Sequence, residues 1–375
     1  MAHLILEPAA GVTETLGFLR QCIADGDVAG ILQPGQAPPD PPSLPGSADP
    51  PALALWTSGS TGEPKGLLFG RDRLDLAARV IARSIDLRGR VGLALPLHYS
   101  YALVGQVLAS HAAGATVMDL RGRDLPQALH AERIEVFSGV PFQLGQLVDA
   151  VEEGAPAPPL HTICSAGAPL SCALALAVRR AFPHATLWNQ YGATELGPRL
   201  AAIPHHDPAF AAALAAGDPP PAGRLLPGAE ARVLDGVLHA RTPWQALGTL
   251  HRIDPDAWHD TGDLARLDGD LVTVLGRADQ VLLVGGEKVH PAPIEGVLAA
   301  QGVAVAVVGR AHRRLGQVPV AFVVGDPRSE PALWQAVRAE LPPRARPASI
   351  TWLPALPRLS SGKVDRAALV AAAER

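Results

Sequence analysis

Between residues 91 and 192 short β-rich runs alternate with Ala/Leu-rich stretches, and this alternation limits the fold more tightly than any other feature of the chain. The runs are VGLAL at 91–95, ATVMDL at 115–120, IEVFSGV at 134–140, LHTICSAG at 160–167 and ATLWNQYG at 185–192. Segments near 102–113, 125–132, 141–152 and 170–181 separate them and read as helices. Short apolar strands joined by helical crossovers predict a parallel α/β sheet covered on both faces. Each run ends in a turn rich in Gly, Ser or Asn, and ligand sites in open α/β sheets lie beyond such carboxyl ends.

From about Ala229 the texture changes to closely spaced strands, EARVLDGVLHAR and DLARLDGDLVTVLGR, with Asp-Gly turns at 235–236 and 268–269. A small antiparallel region is predicted there. After Arg277 the order LLVGG, helix near 291–301, VAVAVVGR, VPVAFVVG, helix near 330–340, SITWLP and a last helix from Asp365 reads as a compact α+β unit. Pro34–Pro51 holds eight prolines in eighteen positions, which predicts an extended linker or strap. The expected fold is therefore α/β. A large N-terminal domain over 1–278 combines parallel-rich sheets with the antiparallel region, and a small mobile α+β domain covers 279–375.

A net charge of −4 and 48% hydrophobic residues give a foldable chain with no general attraction to nucleic acid or anionic membrane. The stretch 91–118 has no charged residue, but Pro96, His98, Gln106, Ser110 and His111 interrupt it, so no membrane span is expected. Cys22, Cys164 and Cys172 form no C-x-x-C pair, and the N-terminus lacks a signal-peptide pattern. Both point to a reducing, cytoplasmic setting.

The strongest local motif is LWTSGSTGEPKG, residues 55–66. Gly59 and Gly62 let backbone N–H groups turn inward, Ser58, Ser60 and Thr61 add hydroxyls, and Lys65 adds charge, a set suited to polyphosphate. It is not a Walker A loop, because Lys65 is followed by Gly66 and Leu67 rather than Ser or Thr. A plain Ser/Gly surface loop is the alternative.

Four further motifs follow in order: NQYGATELG at 189–197, HDTGDLARLDGD at 259–270, GRADQVLLVGGEKVHPAPIE at 276–295 and PRLSSGKVDR at 357–366. Together the five resemble the adenylate-forming superfamily of acyl-CoA synthetases, peptide-synthetase adenylation domains and luciferases, from about residue 53 to the end. The resemblance implies activation of a carboxylic acid by ATP and Mg²⁺ to an acyl-adenylate. The acyl group then passes to a thiol of coenzyme A or of a carrier-protein phosphopantetheine. A catalytically silent nucleotide-binding module and a fatty acyl-adenylate ligase loading a carrier protein are the alternatives.

In this resemblance Thr57 to Gly62 and Lys65 grip phosphate. Asn189, Gln190, Tyr191 and Gly192 form the nucleotide turn, with Tyr191 as a face for adenine. Thr194 offers a hydroxyl to a phosphate, and Glu195 holds Mg²⁺. Ser165, Gly167, Ala168 and Pro169 flank the adenine and acyl pocket, while Asp263 and Arg277 hold the ribose. Asp279 is the hinge. Gly285, Gly286, Glu287 and Lys288 border the pantetheine channel, and Lys363 supplies charge to adenylation. The cluster Asp254, Asp256, His259, Asp260 and Asp263 has neither EF-hand nor zinc spacing.

For the acyl pocket, PLHYSYAL at 96–103 offers His98, Tyr99 and Tyr101, with His98 alternatively a core residue. Neither this stretch nor SAGAPL carries Arg or Lys, so a second substrate carboxylate has no obvious partner, and a neutral aryl or short acyl acid is expected. Two departures stand out: the phosphate loop begins near residue 57, after a much shorter leading region than typical members have, and Leu359 replaces a common threonine.

Overall fold

The structure, a computed structural model, describes residues 4–8, 11–32, 48–58, 64–359 and 363–374. Strands β1 (Leu4–Pro8) and β2 (Val28–Leu32) pair in parallel, and β2 pairs likewise with β3 (Pro51–Ser58). β3 pairs antiparallel with β4 (Pro64–Gly70), placing Thr57 opposite Lys65 near the end of the ladder. Of the linker or strap expected over 34–51, Pro51 belongs to a strand, and residues 33–47 lie outside the described residues. Asp49 accepts from the backbone N–H groups of Asp72 and Arg73, at 2.9 and 3.2 Å, and so caps the helix Arg71–Ser84 from outside its own segment.

The alternating region forms the predicted parallel sheet. β5 (Arg90–Leu93), β6 (Thr116–Asp119), β7 (Val136–Gly139), β8 (Thr162–Ser165) and β9 (Thr186–Tyr191) lie in the order β6-β5-β7-β8-β9. Between β5 and β6 the chain is helical over 100–112, with Leu103–Leu108 wound as a π-helix. Direction changes at β10 (Ala201–Pro204), antiparallel to β9, and β11 (Gly223–Leu225) follows.

The antiparallel region is not a separate body. β12 (Glu230–Leu234), β13 (Val237–Arg241), β15 (His259–Asp268) and β16 (Leu271–Arg277) extend the same sheet through β11, giving eleven strands among the described residues. Asp235 and Gly236, with φ of 50° and 83°, make the predicted tight turn between β12 and β13. The short β14 (Gly248–Thr249) joins β4 and ties this stretch back to the first sheet.

Both faces of the large sheet are covered. Leu53, Leu55, Phe69, Leu93, Leu97 and Leu103 fill the side toward the first sheet, while Phe137, Ile163, Leu144, Ala175 and Phe210 fill the other. Burying a side chain of this size stabilises the fold by about 1.5–3 kcal/mol.

A third sheet comprises β17 (Leu282–Val284), β18 (Glu287–Val289), β19 (Ala304–His312), β20 (Gly316–Val324) and β21 (Ser349–Trp352). Helices Pro291–Ala299 and Glu330–Glu340 close over it around Ile294, Leu298, Leu333 and Val337. Asp365 caps the last helix, Arg366–Ala373, through the backbone N–H of Ala368 at 3.0 Å. Cys22, Cys164 and Cys172 form no disulfide, and among the described residues no helix is long and apolar enough to cross a membrane.

Candidate active site

Tyr191, the last residue of β9, donates its hydroxyl to Oδ2 of Asp263 at 2.5 Å. The β15–β16 register sets Asp263 opposite Arg277. Arg277 Nη1 donates to the Thr261 carbonyl at 2.7 Å and to Asp263 Oδ1 at 3.3 Å, while its Nη2 reaches Asp279 at 3.0 Å. Burial and the negative charge of Asp263 push the Tyr191 phenol well above its usual range, so it remains a donor. Tyr191, Asp263, Arg277 and Asp279 are thereby one continuous polar chain.

Beside it, Thr194–Leu196 forms a single 3₁₀ turn. A Cβ at Gly192 would overlap the Pro198 carbonyl, and one at Gly197, whose φ is 67°, would overlap the Trp244 carbonyl. The loop can close only because both are glycine. The Glu195 carbonyl accepts from Ala246 N at 2.9 Å, and Thr194 Oγ1 accepts from Ser100 Oγ at 2.9 Å.

Glu195 Oε2 lies 3.8 Å from His259 Nε2. Burial holds the His259 pKa below its ordinary value of 6.5; the Glu195 charge opposes this and that of Lys65 adds to it. Lys65, Glu195 and His259 therefore share one electrostatic neighbourhood, and His259 and Asp263 lie four residues apart on β15. Of the expected phosphate loop, Gly59, Ser60, Thr61 and Gly62 lie outside the described residues, as does the side chain of Ser58. Mg²⁺ is commonly held by one or two carboxylates together with substrate phosphates. A single carboxylate, Glu195, backed by a neutral imidazole fits that donor set.

Ser165 ends β8, fully buried, and Gly167, Ala168 and Pro169 are exposed just beyond it. Asn189 is committed to the fold, donating Nδ2 to the Pro221 carbonyl at 2.7 Å. Gln190 Oε1 accepts from the Tyr101 hydroxyl at 2.8 Å. His98 is buried against Tyr99, ring centroids 4.2 Å apart, with neither ring nitrogen hydrogen-bonded among the described residues. Burial, and secondarily the charge of Arg121, push its pKa down.

Neither 96–103 nor SAGAPL carries a cation, but one from elsewhere in the chain packs against the first of these stretches. Arg199, from the loop after the QYGATE turn, lies with its guanidinium carbon 5.5 Å from the Tyr101 ring centroid.

Lys363 is exposed on a turn closed by the Arg358–Val364 bridge, and its carbonyl accepts from Leu359 N at 2.9 Å. The Arg358 guanidinium carbon sits 4.2 Å from the ring centroid of Phe142, in the first turn of Pro141–Glu152 and just beyond β7. Arg358, five residues before Lys363, is thus packed just beyond the carboxyl end of β7. Gly285 and Gly286, with φ of 61° and 85°, form a tight turn between β17 and β18. Gly285 packs against Arg344 and Leu315, Glu287 lies 3.6 Å from Arg344, and Lys288 is exposed, so the contacts of this turn are within the third sheet.

Sequence reasoning passed over Ser100, Phe142 and Arg199, and it weighed His259 only within a metal cluster. For Arg199 a signal was present, a single charge inside the apolar run LGPRLAAI. Ser100 and Phe142 carry none, since their partners are remote in sequence.

Comparison with known proteins agrees with this arrangement. Residues 9–251 match the AMP-binding enzyme family and residues 295–363 its AMP-binding enzyme C-terminal domain. The chain is 27% identical to a 4-coumarate–CoA ligase-like 4 protein of Oryza sativa, over 86% of this chain and 63% of that one. It is 31% identical to an indoleacetate–CoA ligase of Aromatoleum aromaticum, over 84% of this chain and 66% of that one. The chain thus spans about two thirds of the length of these relatives. An Escherichia coli MenE structure with bound OSB-AMS superposes with a TM-score of 0.79 at 21% identity, covering 100% of this chain and 88% of that one, a likeness of fold. With both family regions matched in order, the first of them over more than half of its length, the chain belongs to the AMP-binding enzyme family.

Proposed function

We infer that the protein is an AMP-forming acid–thiol ligase. It activates an aryl or short acyl acid with ATP to an acyl-adenylate and then transfers the acyl group to a thiol, as the names of its CoA-ligase relatives suggest. The observation that carries this reading is the Tyr191–Asp263–Arg277 chain running beside the Glu195–His259 pair. A ribose and a polyphosphate need these two environments next to each other.

In the first half-reaction a substrate carboxylate oxygen attacks the α-phosphorus and the bond to pyrophosphate breaks. Two anions must meet, so the requirement is charge and positioning rather than covalent help. Lys363, carried on its exposed turn, meets the carboxylate and α-phosphate. Thr194, fixed by Ser100, donates to a phosphate oxygen, and Thr57 to Lys65 hold the leaving pyrophosphate. Asp263 and Arg277 hold the ribose, and Tyr191 with Gly167 to Pro169 receives the adenine. Mg²⁺, held by Glu195, would supply charge to the polyphosphate. In the second half-reaction the thiol displaces AMP. The division at 278/279, the Asp279 hinge and the Gly285–Lys288 turn serve that step, by a change in the placement of the third-sheet unit. Coenzyme A is the expected acceptor and a carrier-protein pantetheine the other, in a cytoplasmic setting.

Acid-dependent ATP–pyrophosphate exchange tests the reading. Lys363→Ala should lower exchange by about 10²–10³-fold, the usual loss for one charge-stabilising donor, while leaving thioester formation from supplied acyl-adenylate unchanged. Equal loss of both half-reactions would show that Lys363 does not act specifically in adenylation.

A further inference from the structure

Arg199 is 1% exposed, and its Nε, Nη1 and Nη2 are all buried without a hydrogen-bond partner among the described residues. A guanidinium cannot shed its proton to escape such a site, and an unpaired buried charge is among the costliest things a fold can hold. Among the described residues the surroundings add polar groups, and no carboxylate forms an ion pair with it. Tyr101 lies under the cation, and Gln190 Nε2 and Gln106 Oε1 are likewise buried without partners among the described residues. Gln190 holds the Tyr101 hydroxyl, and Gln106 Nε2 donates to the Ser138 carbonyl at 3.3 Å.

The backbone beside it is closely approached. Gly105 belongs to the π-helical segment Leu103–Leu108, a local winding often found at functional sites. A Cβ there would lie 3.3 Å from Pro198 Cγ, 3.4 Å from Tyr101 Cδ2 and 3.8 Å from Arg199 Nη2. The guanidinium is therefore packed about one helical turn further along than Ser100, which touches Thr194 at the reacting end.

We propose that the acid activated by this protein carries a second carboxylate at the end remote from the reacting one, and that Arg199 receives it in the acyl pocket. This rests on the adenylation reading above and replaces the neutral acid expected from residues 96–103. The planar fork matches a carboxylate through two parallel N–H bonds, so binding supplies the missing counter-charge and acceptors together. Against a monoacid of the same shape the site leaves the cation unpaired, and this is the kind of mismatch that gives strong rejection.

The test is pyrophosphate exchange with matched pairs, terephthalate against p-toluate and adipate against hexanoate, joined to thermal-shift titration with the same acids in the absence of ATP. The wild type should favour at least one diacid over its partner by about 100-fold or more in kcat/KM, and that diacid should raise Tm. Arg199→Met, which removes a buried charge and so should fold, should lose both effects, each diacid being exchanged no better than its matched monoacid. Arg199→Lys, with charge but no fork, should retain part of the preference. Monoacids exchanging as well as diacids in the wild type, or an equal fall for both in Arg199→Met, would overturn the proposal and leave adenylation standing. A diacid-dependent Tm rise lost in Arg199→Met, with no exchange for any acid, would uphold the anion site and sink the adenylation reading instead. No exchange and no Tm rise with any of the acids would count against both.

Discussion

His98 shows how an individual residue couples the fold to pH. It is buried, its pKa is pushed down first by desolvation and then by Arg121, and its ring nitrogens have no partner among the described residues. A histidine whose folded pKa lies below its unfolded value contributes stability that is complete above pH 6.5 and is lost as pH falls through the folded value. His205 and His259 are shifted in the same direction, each chiefly by burial. Urea midpoints should accordingly fall between pH 7 and pH 5, and His98→Leu should flatten that acid limb. An unchanged slope in the variant would show that His98 does not titrate with unfolding. At this scale the sequence announced the chemistry better than the environment. Motif order alone singled out Tyr191, Glu195, Asp263 and Arg277, and three of these meet through the Asp263 carboxylate. That His98 has no partner, or that Arg199 has no ion pair, among the described residues depends on groups distant in the chain.

Elements were legible where a local signal exists. The helices Pro141–Glu152 and Glu330–Glu340 follow from apolar runs with proline in the first turn, and the turn at Asp235–Gly236 follows from its dipeptide. Joining β12 to β16 onto the parallel sheet through β10 and β11 could not be read, because strand pairing across tens of residues leaves no local trace. The helix Arg71–Ser84 gives another instance. Its own flank supplies only Gly70 at the cap position, and the capping carboxylate comes from Asp49, 23 residues before Asp72. Asp49→Ala should lower stability by about 1 kcal/mol, measured as a shift in the urea midpoint. A change within error would mean that water satisfies those N–H groups equally well.

The whole molecule depends on how the third-sheet unit meets the large sheet. Arg358 over the Phe142 ring is one contact between them, five residues before Lys363. A cation–π contact at a partly exposed site contributes about 0.5–1 kcal/mol. Phe142→Ala should therefore slow pyrophosphate exchange by about 2–5-fold and leave transfer from supplied acyl-adenylate unaffected. If both half-reactions slow together, the contact serves general stability rather than the adenylation arrangement.

If side chains from Thr57 to Lys363 gather around one nucleotide so that a carboxylate oxygen bonds to its α-phosphorus, that oxygen must leave with AMP. Turnover with an acid labelled with ¹⁸O in its carboxylate follows it directly. AMP recovered after thioester formation should carry one labelled oxygen, the former bridge of the acyl-adenylate. Label appearing in inorganic phosphate, or AMP formed without label, would contradict this chemistry.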